Sequence, residues 1–315
     1  MDWFGLSAPI LQAPMGSVAN VDLVVAVAKG GGLGSMAMTW APRDEGLAAA
    51  AKLKTAGIPF FFNFVLRFGT ETPRCYLGAD LPAITLSWGV DAALIASFKS
   101  SGTKVGVQVG SVAGARAAID AGADFIIVQG IEAGGHVQSS TPLEKLLASA
   151  VAVANSVPVI AAGGIATAED IARVMKHGAQ GAMMGTRFVA CEESLAHESY
   201  KAALVAARAD DTVYTNCFEI GWPYAMSRVL RNSTFEKWEA AGNPAAPHRP
   251  DEGDIVFRNG SESLVRYCDT PPTRGAEGDL SAACLYAGMS VDGITSVRPA
   301  AEIVSSLWAE AQELL

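Results

Sequence analysis

Phe125-Ile126-Ile127-Val128 is an unbroken apolar run, closed by Gln129 and followed at once by the glycine-rich stretch from Gly130 to Gly135. A strand with one wet face alternates apolar and polar residues, whereas a strand covered on both faces is apolar throughout. The run therefore predicts an inner strand of a parallel sheet. Working outward, similar short runs recur at Ile10–Ala13, Leu33–Met36, Phe60–Phe64, Ala83–Leu86, Val105–Val109, Val159–Ala162 and Ala182–Met184. Helical stretches separate them, which is the pattern of βαβ units. Ser111 is placed to cap a helix that ends before Gly122, with Ala115, Ala118 and Ile119 on one face. Thr167 and Asp170 have the spacing of a capping box, and Gly178 follows that helix's end. Eight strand–helix repeats close most naturally into an α/β fold of the (β/α)8 TIM barrel type, with an open doubly wound sheet as the competing arrangement.

After Cys191 the alternation stops. Helices are expected at Ala196–Ala209 and Met226–Ala241, followed by an irregular stretch holding Gly242-Asn243-Pro244 and Pro271-Pro272. The reading is a barrel formed by residues 1–190 and 285–315, with a smaller, mainly helical cap domain inserted at 191–284. Pro299 suits the first position of a closing helix, Pro299–Leu315. Leu146 to Ala168 carries no charge and is long enough to span a bilayer, but Asn155, Pro158 and Gly163-Gly164 divide it into helix, turn and strand.

Composition narrows the function. Half the residues are apolar, 17% are charged and the net charge is −9 with no basic block, which argues against a nucleic-acid partner. Cys75, Cys191, Cys217, Cys268 and Cys284 are dispersed and lack CxxC spacing, as in a reduced, cytoplasmic protein. Met1-Asp2-Trp3-Phe4 opens no signal-peptide pattern. Neither a membrane span nor a targeting segment is expected.

Barrel active sites lie at the C-terminal ends of the strands. Those ends offer Pro14, Met15, Ser35, Met36, Asn63, Ser87, Trp88, Gln108, Gln129 through His136, Gly163, Gly164, Gly185 and Thr186. There is no lysine for a Schiff base and no His/Asp/Glu cluster for a catalytic metal. Side chains of this kind need a cofactor to do difficult chemistry. Ala161-Ala162-Gly163-Gly164-Ile165 and Met184-Gly185-Thr186-Arg187 lie where strands give way to helices, and backbone N–H groups at such turns bind phosphate. Gly32-Leu33-Gly34-Ser35-Met36-Ala37 superficially matches a dinucleotide fingerprint, but it precedes a strand instead of following one, so a Rossmann site is rejected. The Phe60-Phe61-Phe62 run reads as strand core. His136 is the only one of four histidines on the active face; His177, His197 and His248 fall at a helix end, in a polar helix and in a Pro-rich loop. Its imidazole is suited to proton transfer or to holding an anion. Trp222-Pro223-Tyr224 in the cap offers apolar substrate contacts.

Taken together, Ala13-Pro14-Met15, Phe62-Asn63-Phe64, the stretch Gln129-Gly130-Ile131-Glu132-Ala133-Gly134-Gly135-His136, Ala161 to Ile165 and Met184 to Phe188 resemble the nitronate monooxygenases, formerly called 2-nitropropane dioxygenases. Glu193-Ser194, Ala196-His197, Tyr200-Lys201, Leu285 to Gly288 and Pro299 to Ile303 extend the resemblance over nearly the whole chain. It implies an FMN-dependent barrel that oxidises alkyl nitronates and nitroalkanes with O₂ to carbonyl compounds and nitrite, and it is compatible with a homodimer. Position by position, Met15, Asn63 and Gln108 would meet the flavin ring or ribityl chain, and Gly163, Gly164, Gly185 and Thr186 its phosphate. Ala13, Pro14, Gly134 and Gly135 would also line the cofactor, and His136 would be the catalytic base. Similar sequences include flavin-dependent NAD(P)H:quinone reductases and enoyl-thioester reductases, which are the competing activities; a barrel that binds phosphate without redox chemistry is a third reading. The chain departs from the family's pattern at Met289 and Asp292, and Arg67-Phe68-Gly69-Thr70 has no clear counterpart.

Overall fold

The computed structural model describes residues 4–223 and 225–315, so Met1 to Trp3 and Tyr224 lie outside the described residues. Eight parallel strands follow the predicted sequence: β1 (Ile10–Gln12), β2 (Gly34–Ala37), β3 (Phe60–Val65), β4 (Ala83–Ser87), β5 (Lys104–Val109), β6 (Phe125–Gln129), β7 (Val159–Ala162) and β8 (Gly181–Met184). They neighbour one another in the order β1-β8-β7-β6-β5-β4-β3-β2. A parallel bridge between Leu11 and Leu33 joins the two ends. Gln12 N donates to Leu33 O and Leu33 N to Ile10 O, both at 2.9 Å, so the sheet is a ring without edges. The barrel is closed.

Alternation along the strands divides the core in two. Leu11, Leu33, Phe61, Ala83, Phe125, Ile127, Ile160, Ala162 and Met183 fill the inside of the barrel. Phe60, Phe62 and Phe64 point outward under the helices, and the last two pack on Tyr76 at 5.9 and 5.2 Å between ring centroids. Glycine appears where an inner side chain needs room. A methyl group on Gly106 would stand 2.2 Å from Cζ of Phe125, the residue paired with it on β6.

The helix signals behave as expected. Ser111 Oγ accepts from Gly114 N at the start of Val112–Asp120. Thr167 and Asp170 form a reciprocal capping box on Ala168–Lys176. The uncharged stretch resolves into the helix Leu143–Ala154 and β7, and no described helix is long and apolar enough to cross a membrane.

The insertion is more mixed than a helical reading allows. Glu198–Ala206 is helical, inside the expected span. Met226–Ala241 is not one helix: Ser227–Leu230 is a strand, and the helix Ser233–Ala240 begins only after Asn232, whose side chain accepts from Thr234 N and Phe235 N. The strand forms because both its edges are taken, by Thr212–Thr215 on one side and by Gly135–His136 on the other. Ladder hydrogen bonds thus override local helical preference. A second small sheet joins Ile255–Asn259 to Glu262–Val265 and Glu277–Gly278. Because Gly135–His136 belongs to the loop after β6, the insertion is stitched to the barrel mouth by a shared sheet.

Gly106→Ala should lower stability by about 1–3 kcal/mol through overpacking against Phe125. The expected outcome is an earlier midpoint of urea unfolding with an unchanged slope.

Candidate active site

The loop after β6 carries the central side chains, and its shape is fixed by internal hydrogen bonds. Gln129 Nε2 donates to His136 O (3.3 Å) while its Oε1 accepts from Gln138 N (2.8 Å). Gln129, a strand-end candidate in the sequence, is therefore a brace for the segment 136–138. Glu132 is spent on structure too, since its carboxylate accepts from Leu143 N at the start of a helix. The buried Arg228 guanidinium donates twice to Ile131 O. Together these contacts hold Gly134-Gly135-His136 against the cap strand.

The glycine turns after β7 and β8 converge on that same loop. Gly163 and Gly164 have φ of +106° and +69°, a region that L side chains rarely adopt. A methyl on Gly163 would stand 3.1 Å from Ala133 N, and one on Gly164 3.0 Å from Glu132 Cβ. On the other side, a methyl on Gly134 would lie 2.4 Å from Gly288 N and 3.1 Å from Thr186 Oγ1. Gly288 N in turn donates to Thr186 Oγ1 at 3.0 Å. Gly163 thus lies against Ala133, and Thr186 against the next residue, Gly134. Gly185 faces open space, with Ala13 Cβ at 3.6 Å the nearest contact for an added methyl. Among the described residues, the N–H groups of Gly164, Gly185 and Thr186 donate to no other protein group. Clustered free donors at the end of a strand ring fit an anionic phosphate.

Ala13 lies beside this turn, its N–H donating to Met184 O at 2.9 Å, and Pro14 and Met15 lead from it into the short turn Gly16–Val18. Met15 packs against both the barrel core and the insertion core. Asn63 is buried and its Nδ2 donates to Thr85 Oγ1 at 3.0 Å, which orients the amide across β3 and β4. Gln108 is half-buried on β5. Ser35 is tied to Gln12 by two bonds of 2.7 Å, so it serves barrel closure. Arg187, adjacent to the cradle, is buried and donates to Ala190 O and Ser296 O, a structural use. The two departures from the resembled family also have structural bonds: Met289 N donates to Glu132 O (2.9 Å) and Asp292 Oδ1 accepts from Ala209 N (3.0 Å).

His136 lies under the insertion. Its ring stacks on Trp222 with centroids 4.1 Å apart and contacts Tyr286 at 5.5 Å. Its Nε2 is shut off from water and has no hydrogen-bond partner among the described residues. Burial in this aromatic setting pushes its pKa down from 6.5 to about 4, so the imidazole is neutral at physiological pH. Trp222 is the hub of the mouth, lying 5.1 Å from Trp88, 5.1 Å from Phe68 and 5.8 Å from Trp40. Arg67, Trp88, Gln138, Trp222, Pro223 and Ala225 line a cleft of about 390 Å³ beside it. No pattern in the sequence marks Gln138 as lining this cleft or Tyr286 as lying on His136. Trp222 has no spacing that ties it to His136 either, because nothing local places a cap residue over a barrel loop.

The structure is a (β/α)8 barrel whose mouth sets a cluster of unpaired backbone N–H groups beside a half-buried histidine. The family described as nitronate monooxygenase matches residues 75–310, and the chain belongs to it. A nitronate monooxygenase from Pseudomonas aeruginosa is 30% identical, with 97% of each chain covered. A (3aS,4S,5R,7aS)-5-hydroxy-7a-methyl-1-oxo-octahydro-1H-indene-4-carboxyl-CoA dehydrogenase from Mycobacterium tuberculosis is 35% identical over 75% of this chain and 66% of its own length. The solved nitroalkane oxidase of Streptomyces ansochromogenes superposes with a TM-score of 0.82 at 29% identity, covering 99% of this chain and 97% of that one.

The lowered pKa of His136 carries a stability consequence. The folded value lies below the unfolded one, so the stabilisation from keeping the ring neutral is present above pH 6.5 and is lost as pH falls toward 4. In an NMR titration His136 should stay neutral at pH 5.5, and Trp222→Ala should move its midpoint up toward 6.5.

Proposed function

We propose that the protein is an FMN-dependent nitronate monooxygenase, oxidising alkyl nitronates and nitroalkanes with O₂ to carbonyl compounds and nitrite. The observation that carries this reading is the pairing of free backbone donors at Gly164, Gly185 and Thr186 with a water-excluded, neutral His136 at the same barrel mouth. Gly163, Gly164, Gly185 and Thr186 would hold the phosphate, with Gly134 and Gly135 walling the cradle. Ala13, Pro14, Met15, Asn63 and Gln108, at the ends of β1, β3 and β5, would border the rest of the cofactor. FMN, when bound, supplies the redox chemistry and the reactivity toward O₂ that these side chains lack.

The chain's own contribution is binding and proton transfer. A neutral imidazole is in the form that accepts a proton, and His136 Nε2, unpaired among the described residues, would take it from the acidic C–H next to a nitro group. Its depressed pKa makes it a weaker base but keeps it in the base form across the physiological range. Trp222 and Tyr286 exclude water from the ring, which strengthens electrostatic interactions with an anionic product of deprotonation. A nitronate arrives already deprotonated and needs only the binding part of this arrangement.

A second reading is an NAD(P)H-dependent quinone or enoyl-thioester reductase on the same barrel, and the similarity to the carboxyl-CoA dehydrogenase supports its thioester form. The two readings separate in one pair of assays. Purified protein should show the visible absorption bands of a flavin, release nitrite from ethyl nitronate in air, and keep its flavin oxidised when mixed with NADH or NADPH without O₂. Rapid bleaching by either nucleotide, with no nitrite formed, would establish the reductase instead. His136→Asn should reduce turnover of neutral nitroethane by ~10²-fold or more while leaving ethyl nitronate within severalfold; equal losses on both would remove His136 as the base.

A further inference from the structure

Two buried polar atoms at the mouth have no partner among the described residues: His136 Nε2 and Gln138 Nε2. They belong to one extended segment, two positions apart. Alternation along such a segment puts both side chains on one side and the residue between them on the other. Val137 is indeed buried, while the His136 ring lies on Trp222 and Gln138 lines the same cleft as Trp222. The segment cannot swing away. Gln138 N is held by Gln129 Oε1 at 2.8 Å, Val137 N donates to Met226 O at 2.9 Å, and Gly110 packs so closely that a methyl on it would stand 2.5 Å from Gln138 C. On the facing side Trp88, at the end of β4, takes φ +59°, a strained conformation for a bulky residue.

A buried amide donor left unpaired costs stability unless a ligand completes it. We propose that Gln138 is the specificity-determining residue of the cleft, its amide donating to an oxygen of the substrate's nitro or nitronate group while His136 Nε2 addresses the adjoining carbon. This rests on the proposed function and adds to it the residue that selects the head group. Positions two apart on an extended chain are about 7 Å apart, and a C–NO₂ unit hydrogen-bonded on both sides fills such a gap. A purely apolar alkyl ligand would leave the Gln138 amide unpaired.

The test uses the flavin-loaded protein and Gln138→Met, which keeps length and removes the donor. Sodium nitrate, a planar oxyanion that cannot be oxidised here, is titrated while tryptophan emission is followed, since Trp88 and Trp222 border the cleft. The expected result is a Kd for nitrate weakened about tenfold, a KM for ethyl nitronate raised about tenfold with kcat within about twofold, and an unchanged visible flavin spectrum. Gln138→Asn, which keeps an amide on a shorter arm, should restore part of the loss. A wild-type Kd and KM in Gln138→Met would overturn the inference and leave the proposed function standing. A loss confined to kcat, or a displaced flavin band, would overturn it by placing Gln138 elsewhere in the site. A wild-type protein that neither binds nitrate nor oxidises ethyl nitronate would overturn both.

Discussion

The backbone of Gly134 lies against that of Gly288, and Gly288 N is held by Thr186 Oγ1. This contact joins three pieces of chain that are remote in sequence: the loop after β6, the turn after β8 and the chain returning from the insertion. Side chains at Gly134 or Gly288 would push them apart, since either Cβ would come within 3 Å of backbone atoms of the other segment. Close packing of backbone on backbone leaves the outward N–H groups of the neighbouring turns free, and free N–H groups at one point are what an anion needs. The proposed anion cradle is therefore a by-product of how tightly the mouth is drawn together.

The histidine depends on the same packing at one remove. His136 reaches the mouth because Gly135–His136 pairs with Ser227–Leu230 of the insertion, and it is dry because Trp222 lies on it. Trp222 follows Gly221, whose φ of +113° lets the chain pass over Asp269; any Cβ there would stand 2.2 Å from Asp269 Oδ1. Burial raises the Asp269 carboxyl to about 6, a cost accepted where the turn is pinned by Asp269 N donating to Ile220 O. The backbone proposed to face the cofactor and the side chain proposed to accept the proton are thus positioned by different parts of the chain, the first by the barrel and the second by the insertion.

The barrel was legible because its signal is local and repeated: runs such as Phe125 to Val128 state their own burial, and caps such as Ser111 and Thr167 state where helices begin. The glycine turns at Gly163-Gly164 and Gly185 were legible for the same reason. The insertion was harder. Ser227-Arg228-Val229-Leu230 reads as helix by itself and becomes a strand only because partners from residues 135–136 and 212–215 reach both its edges. Gln138 was invisible as a candidate site residue because an isolated Gln after a histidine has no pattern; only the absence, among the described residues, of a partner for its buried amide nitrogen singles it out. Trp222 over His136 is likewise a long-range contact that no period in the sequence encodes.

Comparing the affinity of flavin-free protein for FMN and for riboflavin, which differ only in the phosphate, tests the cradle most directly. If the free N–H groups of Gly164, Gly185 and Thr186 grip that phosphate, FMN should bind at least ~10²-fold more tightly than riboflavin, the scale expected from two or more charge-assisted hydrogen bonds. Equal affinities would contradict the account.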